Sequence, residues 1–448
     1  MKLQRRSFLS GATAVVAAGS MARVLGSTST AYARKGRSGF AGYGELVPDP
    51  KGLLDLPKGF QYTAFSREGE ALSGGGVVPS NHDGTAAFAA GLSSIWLVRN
   101  HEVSGDDVAE DAKLPVQHIA GSTYDPEAFG GTTTLLVGRD RKLRRHTVSL
   151  AGTDNNCAGG PTPWQTWLTC EETDAILSKP HGYVFEVDPW TSGNPEPIVA
   201  MGRFEHEAVS FDHRGIAYLT EDASEPLGCI YRFIPNRRLG GRGSLHAGGA
   251  LAALRVVGVN SDLSVVQEPG TLLKVQWIPV PNVNPGANDT PVRAQVQALG
   301  ATPIKKAEGT WLGSDGSIWF VASYADGPDA EDPEDITAAA HSGQIWRYDP
   351  RDETIELVTI FPVGSPFDGP DNITASEHGF ALACTDGEDD QWLVGINDEG
   401  GTFAFAKNAA SDVEFTGANF SPNGETLFAN IQEPGITFAI WGPWRGKR

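Results

Sequence analysis

The sequence has few cysteines, a deficit of basic residues and no long apolar run. Four cysteines in 448 residues are too few for a disulfide framework. Only 35 lysines and arginines face 55 aspartates and glutamates, and the formal charge of −20 disfavours nucleic acid and anionic membranes as partners. No apolar run approaches the roughly 20 residues that cross a bilayer, so we expect no stable membrane insertion.

Several catalytic motifs are missing from the sequence as well. His-Glu-x-x-His does not occur, which argues against zinc proteases of that type. The sequence also has no Gly-x-Ser-x-Gly elbow and no Walker loop. These absences exclude serine hydrolases of the elbow type and P-loop ATPases from the candidate functions.

The first 33 residues have the features of an export signal. Arg5 and Arg6 precede the small apolar run "ATAVVAAGSMARVLG", and "AYA" at 31–33 is a small-x-small cleavage site. We therefore predict a twin-arginine signal peptide over 1–33, with the twin-arginine export machinery as a partner and a periplasmic or extracellular location. Proteins with such signals fold before export, often around a cofactor. We expect the mature protein to be a monomer.

The remaining chain reads as short strands separated by turns. It is rich in turn formers, with 54 glycines and 29 prolines in the sequence. The segments "FDHRGIAYLTED", "LGSDGSIWFVAS" and "NFSPNGETLFANIQ" share a scheme of turn, strand and polar end. Such degenerate units predict an all-β fold, a β-propeller with six blades, and a large sandwich or a two-domain all-β protein is the alternative.

We expect residues 34–448 to form a single propeller domain, because no linker divides them. The segments "QWIPVPNVNPGANDTP" and "ADGPDAEDPEDITAAA" are predicted to be loop insertions.

Acidic residues recur beside the ends of the predicted strands. They are Glu102, Glu171, Glu172, Glu205, Glu207, Glu221, Asp222 and Glu308. Propeller blades direct their inner strands toward a common axis, so acids at corresponding ends would converge there. Converging carboxylates repel one another unless cations neutralise them or their pKa values rise. The sequence therefore predicts an axial site that binds cations.

The donor types indicate more than one kind of metal. Carboxylates suit a hard ion such as Ca²⁺, whereas a thiolate suits iron or zinc. Cys170 directly precedes Glu171 and Glu172, and neighbouring anions would destabilise its thiolate unless a cation lay among them. Asp371 lies in a Pro-Asp-Asn turn that could bind Ca²⁺ or could be an ordinary Asx-turn. Whether Cys157 pairs with another thiol stays open.

The segment "NNCAGGPTPWQTWLTCEET" closely resembles the signature of the PhoX-type secreted alkaline phosphatases. The shorter pieces "NHE", "GRFEHEAV", "EGTW" and "LFANIQEPG" follow that family's order. The resemblance implies a six-bladed propeller whose axial site holds iron (Fe³⁺) and calcium ions bridged by an oxo group. It also implies hydrolysis of phosphate monoesters at alkaline pH.

The same resemblance implies roles for individual residues. Cys170 would be an iron ligand, Asp371 a calcium contact and Asn156 a contact to phosphate. The carboxylate ligands would be Glu102, Glu171, Glu172, Glu207 and Glu308.

The chain departs from the family pattern at two positions. The family's phosphate-contacting arginine maps near "KKAEGT", where Lys306 offers a point charge instead of a bidentate fork. Glu433 follows "NIQ", where relatives often have histidine. These departures bear on catalytic efficiency and substrate class, not on the fold.

We therefore expect an exported, metal-dependent alkaline phosphatase that acts on small phosphate esters with a metal-bound oxo or hydroxide nucleophile. Lys306 would stabilise the equatorial oxygens of the transferred group. A phosphodiesterase or phosphotriesterase with the same metals is one alternative. A calcium-dependent lactonase-like propeller and a non-catalytic propeller that binds a partner through its acidic face are the others.

Overall fold

Short antiparallel strands make up most of the regular structure. The computed structural model describes residues 40–191, 193–332 and 335–445. The predicted signal peptide at 1–33 lies outside these ranges. Within them, the α-helices are the short α1 (Gly105–Glu110) and α2 (Val292–Gln297). No helix among the described residues is long and apolar enough to cross a membrane.

The strands follow one another in six groups along the chain, after an N-terminal set. That set is β1 (Leu46–Val47), β2 (Leu54–Pro57) and β3 (Gln61–Phe65). The first group is β4 (His82–Ala90), β5 (Ser94–His101), β6 (Gly130–Gly138) and β7 (Leu143–Thr153). The second is β8 (Asn156–Pro161), β9 (Trp167–Glu171) and β10 (Val184–Val187). The third is β11 (His206–Phe211), β12 (Ala217–Glu221), β13 (Ile230–Pro235), β14 (Gly249–Val256) and β15 (Leu272–Pro279).

The second half of the chain continues the same order. The fourth group is β16 (Ala307–Leu312), β17 (Ile318–Ala322), the hairpin β18 (Ala325–Asp326) and β19 (Ala340–His341), β20 (Gly343–Asp349) and β21 (Thr354–Phe361). The fifth is β22 (Pro370–Ala375), β23 (Phe380–Thr385), β24 (Trp392–Asn397) and β25 (Thr402–Asn408). The sixth is β26 (Phe415–Phe420), β27 (Leu427–Ile431) and β28 (Ile436–Trp441).

The first strand of each group lies at the centre of the molecule. Strands β4, β8, β11, β16, β22 and β26 contact one another in that order, and β26 contacts β4 again. The N-terminal strand β3 pairs with β28, so both ends of the domain complete one four-stranded sheet. This ring confirms the predicted all-β, propeller-like architecture.

Apolar residues pack between neighbouring sheets and hold them in the ring. Between the second and third groups, Leu168 and Val184 pack with Val209. Between the fifth and sixth, Phe405 packs with Phe415. Burying each such side chain stabilises the fold by roughly 1.5–3 kcal/mol. This packing between the sheets keeps the inner strands in the ring.

One predicted insertion contains a strand. Part of the segment "QWIPVPNVNPGANDTP" forms the end of β15, which pairs with both β14 and β21 and so joins the third and fourth groups. The prediction of a loop was wrong there, because Val275 and Trp277 lie on the inner face of a strand and alternate with the exposed Gln276, a pattern that the following proline and glycine signals obscure. Among its described residues, 325–332 and 335–340, the segment "ADGPDAEDPEDITAAA" holds only β18 and the first residue of β19.

Candidate metal centre

Each inner strand has a β-bulge close to its first residue. The pairing register shifts between His82 and Thr85, Asn156 and Gly159, His206 and Val209, Ala307 and Thr310, Pro370 and Ile373, and Thr416 and Asn419. A bulge sets two residues opposite one and re-aims the first side chain. The residues at this first bulge position are Asp83, Cys157, Glu207, Glu308, Asp371 and Gly417. Five of the six therefore offer a metal-binding side chain near the axis.

The sixth bulge position must be glycine. Gly417 has a φ of 59°, and a Cβ added there would lie 2.6 Å from the backbone oxygen of Asp83. At its bulge, the sixth group of strands therefore presents backbone to the axis instead of a metal-binding side chain.

A second set of polar residues follows the strand that pairs with each inner strand. In an antiparallel pair the end of one strand lies beside the start of the other, so these residues come close to the bulges. They are Glu102, Glu172, Asp222, Ser323, Asp386 and Gln432.

The two sets meet in three overlapping groups of possible ligand atoms. The groups are Asp83, Glu102 and Cys157; Cys157, Glu172 and Glu207; and Glu207, Glu308 and Asp371. Within each group the donor atoms lie within 4.8 Å of one another. Because Cys157 and Glu207 are shared, the seven residues form one continuous assembly, which we call the axial cluster.

Glu207 shows most clearly that the cluster needs cations. Its side chain is fully buried, and no nitrogen or oxygen atom donates a hydrogen bond to either carboxylate oxygen; the neighbouring Cys157 thiol is a weak donor. Burial raises the pKa of Glu207 well above its usual range, and the carboxylates of Asp371, Glu308 and Glu172 raise it further. Burial and the Asp386 carboxylate raise the pKa of Asp371 to about 7. Buried carboxylate oxygens that converge beside a thiol, with no amide or ammonium group on the oxygens of Glu207 at their centre, fit metal ions well.

Two amide side chains orient the edge of the axial cluster. Gln432 Nε2 donates to Asp83 Oδ2 at 3.2 Å and to Glu102 Oε2 at 2.9 Å. Asn155 Nδ2 donates to Glu102 Oε1 at 3.2 Å and to the backbone oxygen of Glu172 at 3.2 Å. These contacts fix Glu102 on both of its oxygens.

Lys306 places a positive charge against the axial cluster. Its Nζ lies 2.7 Å from Asp222 Oδ2 and 2.9 Å from Glu308 Oε1. Burial lowers the pKa of Lys306, but the carboxylates of Asp222 and Glu308 outweigh it and hold that pKa well above its usual range. These two carboxylates therefore keep the ammonium group charged despite its burial.

The structure does not bring Cys170 to the axial cluster. Cys170 lies in the apolar core between the second and third groups of strands, with Leu168 and Val184. Its position inside the regular strand β9 turns its side chain toward the neighbouring sheet, whereas Cys157 occupies a bulge. The thiol at the axis is that of Cys157.

Glu171 is buried beside the axial cluster but is not among its ligand groups. Its Oε1 accepts a hydrogen bond from the Asp154 backbone N–H at 3.0 Å and lies 2.6 Å from His181 Nδ1. Its Oε2 accepts from the backbone N–H groups of Gly182 and Tyr183 at 2.9 and 3.0 Å. Hydrogen bonds thus occupy the carboxylate that the sequence predicted to be a ligand.

Asn156 also faces away from the axial cluster. Its Oδ1 accepts from Thr153 Oγ1 at 2.6 Å, and its Nδ2 donates to Thr169 Oγ1 at 2.8 Å. Asn155, one residue earlier, supplies the amide at the cluster. The predicted residues that the structure brings together are Glu102, Glu172, Glu207, Glu308 and Asp371, with Lys306 in contact with Glu308.

Sequence reasoning missed Asp83, Cys157, Asn155 and Gln432 as parts of this site, whereas Asp222 was among the acids expected near the axis. A signal for the bulge residues does exist, because each donor except Asp371 precedes glycine or alanine. The reason is the tight approach of the next inner strand: a Cβ added at Gly84 would lie 2.6 Å from the Cα of Ala158, and one at Gly309 would lie 2.7 Å from the backbone nitrogen of Ile373.

The main cavity found among the described residues lies away from this site. A groove of about 680 Å³ is lined by loop residues such as Ser224, Asn260 and Asp262, and none of its lining residues belongs to the axial cluster. The donor set, not cavity size, identifies the candidate centre.

Comparison with known proteins agrees with this geometry. Residues 41–435 match the model of the family described as alkaline phosphatase PhoX. The fold resembles Pseudomonas fluorescens PhoX, solved in complex with vanadate, with a TM-score of 0.66 and 18% identity over 87% of this chain and 96% of that one. No curated protein sequence matches the chain significantly.

Weaker likenesses extend to other solved structures. A gluconolactonase from Xanthomonas campestris has a TM-score of 0.45 and 11% identity, covering 91% of this chain and all of that one. A regucalcin from Agrobacterium tumefaciens has a TM-score of 0.42 and 11% identity, covering 86% and 97%. Both scores are too low to bear on function.

Proposed function

The chain belongs to the alkaline phosphatase PhoX family, so it is a phosphatase acting on phosphate monoesters, and we propose that the axial cluster is its active site. The observation that carries this proposal is Glu207. A fully buried carboxylate that accepts from no nitrogen or oxygen atom, and that is shared between two groups of donor atoms, stays ionised only when cations occupy the space around it.

We infer that the resident metals are calcium and iron. Carboxylate oxygens from Asp83, Glu102, Glu308 and Asp371 suit Ca²⁺. The Cys157 thiolate, beside Glu172 and Glu207, suits iron, so Cys157 takes the role that the sequence resemblance gave to Cys170. Burial, and then the carboxylates of Asp83 and Glu207, raise the pKa of Cys157. Cys157 is therefore a thiolate only when a cation lies beside it.

The electrostatics of the chain's own residues then define the catalytic arrangement. A phosphate dianion is repelled by a carboxylate pocket unless bound cations reverse the local field. When bound, the metals polarise the phosphoryl oxygens and activate the attacking oxygen. Lys306 would place its ammonium group beside the equatorial oxygens as charge spreads over them. Asn155 holds Glu102 and the Glu172 backbone in place.

The finer architecture and the cellular setting complete the proposal. We infer six blades, supported by the six inner strands that contact one another in a closed ring. Residues 34–448 would form this single domain. The twin-arginine pattern supports export to the periplasm or beyond, and we propose a monomer that acts on small phosphate esters.

The direct experiment measures metal and activity on one preparation. Elemental analysis of the exported protein should find iron and calcium, and p-nitrophenyl phosphate should be hydrolysed without chelator but not after chelation. Full activity in a preparation free of both metals would overturn the assignment of the axial cluster as the active site.

A further inference from the structure

A second set of buried polar side chains lies next to the axial cluster. It consists of Asp125, Glu171 and His181, which we call the clamp, and all three side chains are fully buried. None of them lies in the three groups of ligand atoms found among the described residues. The clamp is therefore a charged assembly that the proposed chemistry does not use.

Glu171 has no free position for a metal. A carboxylate offers about four lone-pair sites. The hydrogen bonds from the backbone of Asp154, Gly182 and Tyr183 and the contact with His181 occupy four. Glu171 is thus committed to the protein itself.

His181 joins the two carboxylates of the clamp. Its Nδ1 lies 2.6 Å from Glu171 Oε1, and its Nε2 lies 3.4 Å from Asp125 Oδ2. Asp125 in turn accepts hydrogen bonds from Ser178 Oγ at 2.5 Å and from the Lys179 backbone N–H at 2.6 Å. The clamp therefore ties the loop after β9 to the loop before β6.

The backbone carries the clamp's geometry directly into the axial cluster. Glu172 follows Glu171, and its N–H donates to the backbone oxygen of Asn155 at 3.0 Å. The N–H of Asp154 donates to Glu171, so the turn that leads into Cys157 is held by the same carboxylate. Two donors of the cluster, Glu172 and Cys157, thus depend on Glu171 for their placement.

We propose that the clamp is a positioning device that holds Glu172 and the turn at 154–157 in the geometry that retains metal. Asp125, Glu171 and His181 touch neither metal nor substrate in this role. The kcat part of the test rests on the proposed function, whereas the metal-retention part does not.

The test uses two substitutions at His181 in the full-length protein. His181→Phe removes both contacts, while His181→Asn keeps a donor toward Glu171 but cannot reach Asp125. For His181→Phe we expect loss of iron and calcium to EDTA about ten times faster than wild type, and a kcat about ten times lower with little change in KM, as for substitutions behind metal ligands. His181→Asn should fall between His181→Phe and wild type.

His146→Asn is the matched control. His146 is also buried, and it contacts Ser66 Oγ at 3.2 Å and the Ala71 backbone oxygen at 2.8 Å, in the first group of strands away from the cluster. Its substitution should lower the Tm without changing metal retention. Wild-type retention and kcat in a folded His181→Phe protein would overturn the proposal.

A more conservative variant covers the case in which His181→Phe does not fold. Asp125→Asn has the same shape and removes one charge, and it should release metal to EDTA faster than wild type. Retention equal to wild type in Asp125→Asn would then count against the clamp. Faster release in these variants from a wild type that holds metal but has no phosphatase activity would support the clamp and refute the proposed function.

Discussion

The axial cluster and the clamp contain carboxylates that are equally buried but differ in what surrounds their oxygens. Glu207 and Glu171 are both fully buried. No nitrogen or oxygen atom donates to the oxygens of Glu207, whereas those of Glu171 accept from three backbone N–H groups and contact His181. The hydrogen bonding of their oxygens, and not burial or charge, therefore separates Glu207, a candidate metal ligand, from Glu171, a residue of the scaffold.

The largest expected effect is on iron binding and activity. It distinguishes Cys157 from Cys170, the two cysteines of the segment "NNCAGGPTPWQTWLTCEET". Cys157→Ser should remove iron and lower kcat by more than the roughly 10–100-fold that substitutions behind metal ligands cost. The reason is that Cys157 shares ligand groups with both Glu102 and Glu207. Elemental analysis and p-nitrophenyl phosphate hydrolysis on the same sample measure both quantities.

Cys170→Ser is the matched control for Cys157→Ser. It places a hydroxyl in the apolar core and should cost about 1–3 kcal/mol of stability, with iron retained. If Cys170→Ser lost iron and Cys157→Ser kept it, the thiol at the axis would be misassigned.

The next largest expected effect is on the free energy of unfolding, and it distinguishes the adjacent Glu171 and Glu172 at the end of β9. In metal-free protein, Glu171→Gln should lower the free energy of unfolding by about 3–5 kcal/mol, because it removes the counter-charge of buried His181. Glu172→Gln should leave that free energy unchanged or raise it, because it removes one of several repelling charges. Urea denaturation in EDTA measures both, and equal destabilisation by the two variants would contradict the distinction.

A smaller effect is expected on the activity of Lys306 variants. Lys306→Ala should lower kcat by roughly 10–100-fold, since the ammonium group would stabilise charge on the phosphoryl oxygens. Lys306→Arg should keep more activity, because its planar fork can still reach Glu308 and phosphate. Steady-state kinetics on p-nitrophenyl phosphate distinguish the two, and an unchanged kcat in Lys306→Ala would remove this residue from the mechanism.

Much of the fold was predictable because turn and strand signals are local. The repeated units predicted from the sequence end at Asp222, Ser323 and Gln432, and each of these residues directly follows the strand that pairs with an inner strand. The convergence of acids followed from the closed ring, since corresponding ends of inner strands must meet.

The identity of the thiol and of the satisfied glutamate could not be predicted in the same way. A bulge changes the face on which a side chain lies, and the sequence alone did not locate the bulge at Cys157. The partners of Glu171 include His181 and Asp125, and only the packing of separate loops brings Asp125 into the clamp. Long-range contacts of this kind leave no local pattern.

The smallest expected effect is the pH dependence of stability in the metal-free protein, to which the axial cluster and the clamp should contribute differently. In metal-free protein the pKa of Asp371 is raised to about 7, above its unfolded value, so the folded state binds more protons than the unfolded state below that pH. Stability of the metal-free protein should therefore fall as pH rises toward 7, by about 1 kcal/mol per pH unit for this group, and then level off. Metal-bound protein should lack this loss, because the cation keeps the carboxylate ionised.

The comparison is best made as the difference in unfolding free energy between metal-bound and metal-free protein at pH 6 and pH 8. Buried histidines such as His82 and His101, whose pKa values burial lowers, titrate in both forms and cancel from that difference. Asp371→Asn should reduce the pH dependence of this difference, whereas Asp125→Asn should not. Burial would raise the pKa of Asp125, but the hydrogen bonds that its carboxylate accepts outweigh burial and keep that pKa below its usual value. An unchanged dependence in Asp371→Asn would mean that the proton taken up by the metal-free protein belongs to another carboxylate of the axial cluster, such as Glu207, and not to Asp371.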